Sequence, residues 1–529
     1  MNVENERSRS VWMDVKRPQF RPLTSDLAIE TLVIGSGIAG LSIAYELMRR
    51  GHEVAVVDRG KIGGGMTART SAHLSAEIDD SYHRLIKAHD EDRARRYYQS
   101  QKAAIDRIEL ICRKEDIECA FKRIDLYLFA PDHIGRRDLE NEIKAATQVG
   151  FAGVGWSDAP VAGKSTGCLR FPNQARFHPI AYLAGLCTAL KRKRVKFYSD
   201  TAIISVAETA KGAVAECENG HRIKAGKVVA ATNSPFVNRL AVHNKQAPYR
   251  TYVMTAIIPK GAAPDALIWD TENPYHYVRL FQRDDDDLLV FGGEDHKTAT
   301  VDDAGERLKR LERWARERFP KLGRVQHSWS GQVYEPVDYV PFIGPSPGHK
   351  RVFIVTGDSG EGLTTGVTAS MILPDLIDGV KNPWAKVYYP GRKVKTPSPI
   401  INHAKDHAGA AKHLIEHLPA PTKTAEAIRR GKGAIIEARG KKHAAYRDKS
   451  GALHVMSAAC THVGCTVHWN SFEECWDCPC HGSQFAPEGE ALNCPAVEPL
   501  KAEEAQMVEK KPARRKSADR ERPAHHLAS

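Results

Sequence analysis

Two short clips of cysteine and histidine toward the C-terminal end constrain this chain more than any other feature. Cys460-Thr461-His462-Val463-Gly464-Cys465 is followed, after a brief excursion, by Cys478-Pro479-Cys480-His481-Gly482-Ser483. A Cys-x-His clip and a Cys-x-x-His clip offer two thiolates and two imidazoles. That set suits a [2Fe-2S] centre in which two cysteines hold one iron and two histidines the other. Cysteine and histidine at short spacings also build structural zinc sites, although a zinc ribbon does not call for Cys-Pro-Cys-His-Gly-Ser. From Lys432 onward, short apolar stretches at 434–437, 443–447 and 453–457 are divided by glycines and read as strands. They lead into the clips and close with Glu498-Pro499-Leu500, so a small antiparallel β domain is expected over 422–507.

The full string resembles the Rieske proteins of cytochrome bc complexes. The resemblance implies that Cys460, His462, Cys478 and His481 hold the iron, and that a disulfide between Cys465 and Cys480 ties the two loops together. Cys475 and Cys494 lie outside both clips and are expected as free thiols. In high-potential members a serine and a tyrosine donate hydrogen bonds to the cluster. Ser483 keeps the first place and Phe485 stands in the second, which implies a lower reduction potential here.

Near the other end, Glu30-Thr31-Leu32-Val33-Ile34 is an apolar, β-branched run that leads into Gly35-Ser36-Gly37-Ile38-Ala39-Gly40. Residues 41–47 then show helical spacing, and a second strand over 52–57 ends at Asp58. Strand, Gly-x-Gly-x-x-Gly turn, helix, strand and terminal acid together form a dinucleotide-binding pattern. Gly35, Gly37 and Gly40 let backbone amides approach a pyrophosphate, and Asp58 can accept from a ribose hydroxyl. The bare alternative is a tight turn with no ligand. A glycine-rich, hydroxyl-bearing loop follows, with Arg59, Thr67, Thr70 and Ser71 placed to wrap a diphosphate. Another strand ends at Thr232, and the stretch 353–366 reads as strand, glycine-rich turn and helix start, with Gly357, Gly360, Glu361, Gly362 and Thr364 in the turn.

Taken together, these segments resemble the FAD-dependent oxidoreductases that include D-amino-acid, glycine and sarcosine oxidases, over residues 28–380. The resemblance implies an α/β architecture: a Rossmann-like FAD-binding domain (about 28–80, 195–240 and 340–380) with an inserted mixed α+β substrate domain, then the small all-β Rieske domain. It also implies that the 357–364 turn closes the FAD site beside the flavin ring. Residues 81–150 carry helical apolar spacing, 180–190 reads as a helix, and strands are expected at 252–258, 277–281 and 288–291 with a solvated tip at 284–287. The oxidoreductase part is expected to end near 390. A linker covers 391–421, with a short helix at 410–418, and an extended leader of 1–27 has Trp12 and Phe20 free to pack on the body. Many amino-acid oxidases of the family hold the substrate carboxylate with an arginine in a Gly-x-Arg-Pro string. Here Gly331-Gln332-Val333-Tyr334 puts Val333 in that arginine's place, and a planar guanidinium is what bidentate carboxylate capture needs. Tyr252, Tyr277, Arg279 and His296, with Arg250 and His276, are the remaining candidates for the substrate pocket.

The formal charge of +12 is local. Residues 381–442 hold fourteen basic against four acidic side chains and 509–529 hold seven against three, so the rest of the chain is near neutral. The basic tail, 508–529, lacks the aromatics that single-strand binding uses, and no nucleic-acid role is expected. The stretch 1–27 has no apolar core of a signal peptide and no apolar run reaches transmembrane length, so a cytoplasmic protein is expected. Cys112, Cys119, Cys168, Cys187 and Cys217 show no paired spacing and read as reduced thiols. The combined reading is an enzyme that oxidises a small amine or amino-acid-like molecule with FAD and passes single electrons through the cluster to a quinone, ferredoxin or cytochrome. An NAD(P)H-dependent reductase or flavin monooxygenase feeding the cluster is the alternative, though only one Gly-x-Gly-x-x-Gly unit is present. A redox-responsive binding protein without turnover is a third.

Overall fold

The computed structural model describes residues 6–237, 241–393 and 424–504. Strand Leu27–Ile34 is apolar and buried from Leu32 onward and lies in the middle of a sheet. It pairs in parallel with Arg222–Ala230 on one side and Val54–Val57 on the other. The order across this sheet runs Phe342–Pro345, Val352–Thr356, Arg222–Ala230, Leu27–Ile34, Val54–Val57, Lys196–Tyr198, with the hairpin Ile203–Glu208/Ala213–Cys217 beside it. Central parallel strands buried on both faces read as continuous apolar runs, as Val54–Val57 does and as 32–34 and 228–230 do at the ends of Leu27–Ile34 and Arg222–Ala230. Helix Ile38–Arg49 crosses between the first two strands and packs on helices Pro179–Arg192 and Gly362–Ile377.

A nine-stranded mixed sheet stands against this unit, running from Val325–Pro336 through Gln246–Ile258, Asp287–Lys297, His276–Gln282, Leu267–Asp270 and Lys122–Ala130 to Gly167–Arg176 and His73–Leu74. Three expectations need correction here. The region 81–150 is not helical throughout: between helices Glu91–Glu115 and His133–Gln148 lies strand Lys122–Ala130, whose short alternation is lost among its helical neighbours. The expected strands at 252–258 and 288–291 are halves of the longer Gln246–Ile258 and Asp287–Lys297. Asp287 is buried inside its strand and is not part of the solvated tip.

The C-terminal domain is two four-stranded antiparallel sheets, one of Lys432–Ala438, Lys441–Arg447, Leu453–Ser457 and Ala502–Glu503, the other of His468–Asn470, Cys475–Asp477, Gln484–Phe485 and Ala491–Asn493. The first cluster loop joins the two sheets, and the second is the tight connection between Cys475–Asp477 and Gln484–Phe485. The start of the expected linker is anchored: Arg392 is buried and pairs with Asp338 at 2.7 Å. The short helix at 410–418 and the tail at 508–529 lie outside the described residues.

The N-terminal stretch is more than an extended leader. Residues Val11–Asp14 form a 3-10 turn in which Trp12 is fully buried and its indole N–H donates to the Thr70 carbonyl at 2.7 Å. Phe20 stacks on Phe197 at 4.5 Å. Glu6 goes deeper, into a dry network that joins this stretch, the body and the C-terminal domain. Arg69 meets Glu6 at 2.9 Å and Glu473 at 3.1 Å, with all three side chains sealed from solvent. One terminal nitrogen of Arg250 donates to the Asp477 carboxylate, 2.8 and 2.9 Å from its two oxygens, and the other donates to the Ser330 hydroxyl at 2.8 Å. Gln484 ties Asp477 to Glu6, 2.9 Å from each.

Three carboxyls face two guanidiniums, so one proton completes the balance. Burial pushes the Glu6 carboxyl up to about 7, Arg69 notwithstanding. Burial also raises Glu473, but Arg69 and Arg250 outweigh it and hold that carboxyl below the usual carboxylate range. Removing one member of a buried pair leaves an uncompensated charge at a cost of about 3–5 kcal/mol. Arg250→Met is therefore expected to split one calorimetric transition into two, the C-terminal domain melting first. Glu6 ordinarily titrates near 4.5 and here near 7, so the assembled state takes up a proton. Its stabilising contribution is complete below pH 4.5 and is lost as pH rises through about 7, by about 1.4 kcal/mol per pH unit in that window. Glu6→Gln is expected to flatten the decline of melting temperature across this range.

Candidate active site and metal centre

At the C-terminal ends of the parallel strands lies a cleft enclosing about 1380 Å³, open solvent at its mouth included. Its floor is the first βα turn. Gly35 and Gly37 line it, and Gly40 packs so tightly that a β-carbon there would stand 1.9 Å from the Gly35 carbonyl oxygen. The N-terminus of Ile38–Arg49 thereby faces the cleft, where backbone amides and the helix dipole favour an anion. Asp58 also lines it, with Oδ2 accepting from the Ser36 N–H at 2.7 Å and the Ser36 hydroxyl at 2.6 Å, and Oδ1 from the Gly60 N–H at 3.0 Å. Thr67, Thr70, Ser71, Thr232, Gly360, Glu361 and Gly362 line the cleft as well.

Other residues expected at this site are placed elsewhere. Arg59 turns away and donates to the Ala491 carbonyl of the C-terminal domain at 2.8 Å. Gly357 and Thr364 support the turn without lining the cleft; the Thr364 hydroxyl lies 3.3 Å from the Glu361 carbonyl. Among the catalytic candidates only Tyr277 reaches the cleft. Arg279 is buried and donates to the Ala72 and Phe177 carbonyls at 2.7 and 3.0 Å, so it is structural. Tyr252 and His296 stack on each other at 5.8 Å and line a separate crevice against the C-terminal domain, together with the docking residue Arg250. His276 pairs with Asp270 at 2.9 Å and stacks on Trp314, outside the cleft. Asp79, Tyr275, Trp269, His73 and Asp295 do line it, and no local pattern marks them because they come from distant segments.

The two clips come together at the tip of the C-terminal domain. Cys460 and Cys478 are buried, and the Cys478 thiol, in hydrogen-bond contact, draws Cys460 down to about 7. The rings of His462 and His481 face each other edge-on at 5.1 Å. Cys465 and Cys480 form a disulfide that lies against Cys478. Two thiols and two imidazoles thus converge from two loops, the donor set that a mixed-ligand [2Fe-2S] cluster takes. The dinucleotide cradle and this donor set both fit the groups they would hold. Cys475 and Cys494 are free and buried; so are Cys112 and Cys119, whose sulfurs nonetheless touch at 3.4 Å across a turn.

The tip points into the body. Tyr334 and Gln332 project from strand Val325–Pro336, and the Gln332 amide donates to the Gly482 carbonyl at 2.8 Å. The Tyr334 hydroxyl lies 3.3 Å from the His481 carbonyl and 3.4 Å from that of Gly482. On the other side His243, itself buried, sets its ring 5.2 Å from His462 and 5.5 Å from His481. A hydrogen bond of 2.8 Å between its Nε2 and the Pro235 carbonyl holds it there. Sequence reasoning passed over His243, since a lone histidine in a loop carries no local signal.

Comparison with known proteins agrees with this geometry. The family described as FAD dependent oxidoreductase (DAO) matches residues 30–376, and the Rieske [2Fe-2S] domain matches residues 420–504. A protein of Bacillus subtilis (strain 168), "Putative Rieske 2Fe-2S iron-sulfur protein YhfW", is 31% identical over 489 residues, covering 92% of this chain and 95% of its own length. Gamma-glutamylputrescine oxidoreductase of Escherichia coli (strain K12) is 22% identical over 69% of this chain and 87% of its own. Among solved structures, glycine oxidase from Geobacillus kaustophilus superposes with a TM-score of 0.59 at 18% identity, over 70% of this chain and all of its own. The chain belongs to the FAD-dependent oxidoreductase family and carries a C-terminal Rieske [2Fe-2S] domain.

Proposed function

We propose that this protein is a dehydrogenase that oxidises a small amine or amino-acid-like substrate and passes the electrons singly through its cluster to an external acceptor of quinone, ferredoxin or cytochrome type. A substrate C–N bond becomes C=N with release of two electrons and two protons, and water hydrolyses the imine. FAD in the cleft would accept the electron pair, and the [2Fe-2S] centre would carry single electrons onward. One observation carries this reading: strand Val325–Pro336 serves both sites. Gly331, Gln332 and Val333 line the cleft, while Gln332 donates to Gly482, the residue between His481 and Ser483. Electron transfer falls steeply with distance, and a single strand separates the two sites.

The surrounding residues support the same path. The N-terminus of helix Gly362–Ile377 opens beside the cleft and favours negative charge there. Val333 contributes an apolar wall where a carboxylate-binding arginine would otherwise stand. His243 packs against the rings of both histidines. Anaerobic addition of amines tests the proposal: the flavin should bleach and the cluster should then give an electron paramagnetic resonance signal. Bleaching by NADH and not by amines would replace this reading with the reductase.

Two variants probe the path itself. A β-carbon on Gly482, whose φ is +73°, would meet the Tyr334 hydroxyl at 2.6 Å and the Gln332 amide nitrogen at 2.7 Å. Gly482→Ala should leave substrate bleaching of the flavin unchanged while stopped-flow spectra show slower cluster reduction. Phe485 is fully buried in the same apolar cluster as both ligand cysteines. Phe485→Tyr should raise the reduction potential in protein-film voltammetry by adding a donor toward the cluster.

A further inference from the structure

One part of the cleft, where Asp79 and Tyr275 approach Gly360, is acidic and aromatic. Asp79 opens into it, its Oδ2 accepting from the Tyr275 hydroxyl at 3.1 Å. Asp295 also lines it; its Oδ1 is sealed from solvent and has no hydrogen-bond partner among the described residues. Between them the rings of Tyr275 and Tyr277 stand 5.7 Å apart, with His73 at 5.6 Å from Tyr277 and 6.2 Å from Trp269. The Tyr277 hydroxyl is fixed by Thr251 at 2.9 Å.

Among the described residues these walls carry little positive charge. Arg69 is the one lysine or arginine among the lining residues, and its guanidinium is committed to Glu6, Glu473 and the Ser330 carbonyl. Burial, with Arg279 nearby, pushes the His73 imidazole down to about 3, which keeps it neutral. Burial raises Asp295 to about 7. Thr251, His276 and Arg307 offset only part of the burial at Asp295, and a cation between the two carboxyls would relieve their repulsion. Aromatic faces attract the same kind of ion. A substrate carboxylate would instead enter beside Asp79, Asp295, Asp358 and Glu361 with no free guanidinium to receive it.

We infer that the cleft takes its substrate as an alkylammonium ion without a carboxylate, its positive charge held by Asp79 and Asp295 against the rings of Tyr275 and Tyr277. The inference rests on reading this cleft as the site of amine oxidation. The test uses the full protein with FAD and cluster bound, titrated anaerobically with tetramethylammonium chloride, sodium acetate and, as a salt control, sodium chloride. Tetramethylammonium should perturb the flavin spectrum saturably, and acetate should not. Asp79→Asn and Asp295→Asn should each raise its Kd about tenfold, equivalent to about 1.4 kcal/mol. Saturable binding of acetate, no binding of tetramethylammonium, or unchanged affinity in both variants overturns the inference. If the variants lose their flavin, the comparison of the two ions on the unmodified protein decides alone. Light-driven reduction of the same sample, read by the cluster's paramagnetic signal, tests the electron path without any substrate. A cluster signal without ammonium binding rejects this inference and leaves the proposed function standing.

Discussion

Arg69 and Arg250 cannot sit in a dry interior without carboxylates, and the carboxylates they meet come from the far ends of the chain. Glu6 reaches them from the N-terminal stretch, Glu473 and Asp477 from the C-terminal domain. None of the three segments satisfies this network by itself, and a buried charge left alone is far more costly than one that is paired. The network therefore selects one docking arrangement out of the many a long connection would allow. Arg69 ends the short turn Met66–Arg69, whose Thr67 lines the cleft, so the charges that dock the cluster domain also fix part of the dinucleotide site.

That docking decides which way the cluster faces. His462 and His481 turn toward His243 and strand Val325–Pro336, His462 buried and His481 half-buried. Gly482 permits the approach because a side chain would strike Tyr334 and Gln332. Gln332 then does two things at once, closing one wall of the cleft and holding the loop between two cluster residues. The oxidoreductase body and the Rieske domain are thus mechanically continuous.

Much of this was legible in the sequence because it is local. The glycine turn with its flanking strands and Asp58 falls within some thirty residues, and the clips with Cys465 and Cys480 within twenty-four. In both cases the chemistry requires fixed spacing, so spacing betrays it. Strand Lys122–Ala130 was hidden because its short alternation sits between two helices. Arg279, Tyr252 and His296 were plausible pocket residues by type alone, and residue type says nothing about which face of a strand looks into a cleft. Arg59 adjoins Asp58 yet reaches the other domain. Asp79 and Asp295 had no signature at all, since single acids in unremarkable contexts become a site only when two hundred residues of chain fold them together.

Cofactor chemistry was determined by sequence alone: a dinucleotide cradle, a two-cysteine, two-histidine cluster site, and a valine where a carboxylate-binding arginine would stand. Each depends on backbone geometry or ligand spacing over a few residues, which the order of amino acids dictates directly. Tertiary structure alone decided that the cleft and the cluster loops share a wall, that a network of five ionisable side chains holds them there, and that Asp79 and Asp295 meet in one cleft. Those properties depend on which distant side chains lose water together, and desolvation is a property of the packed molecule and not of any segment.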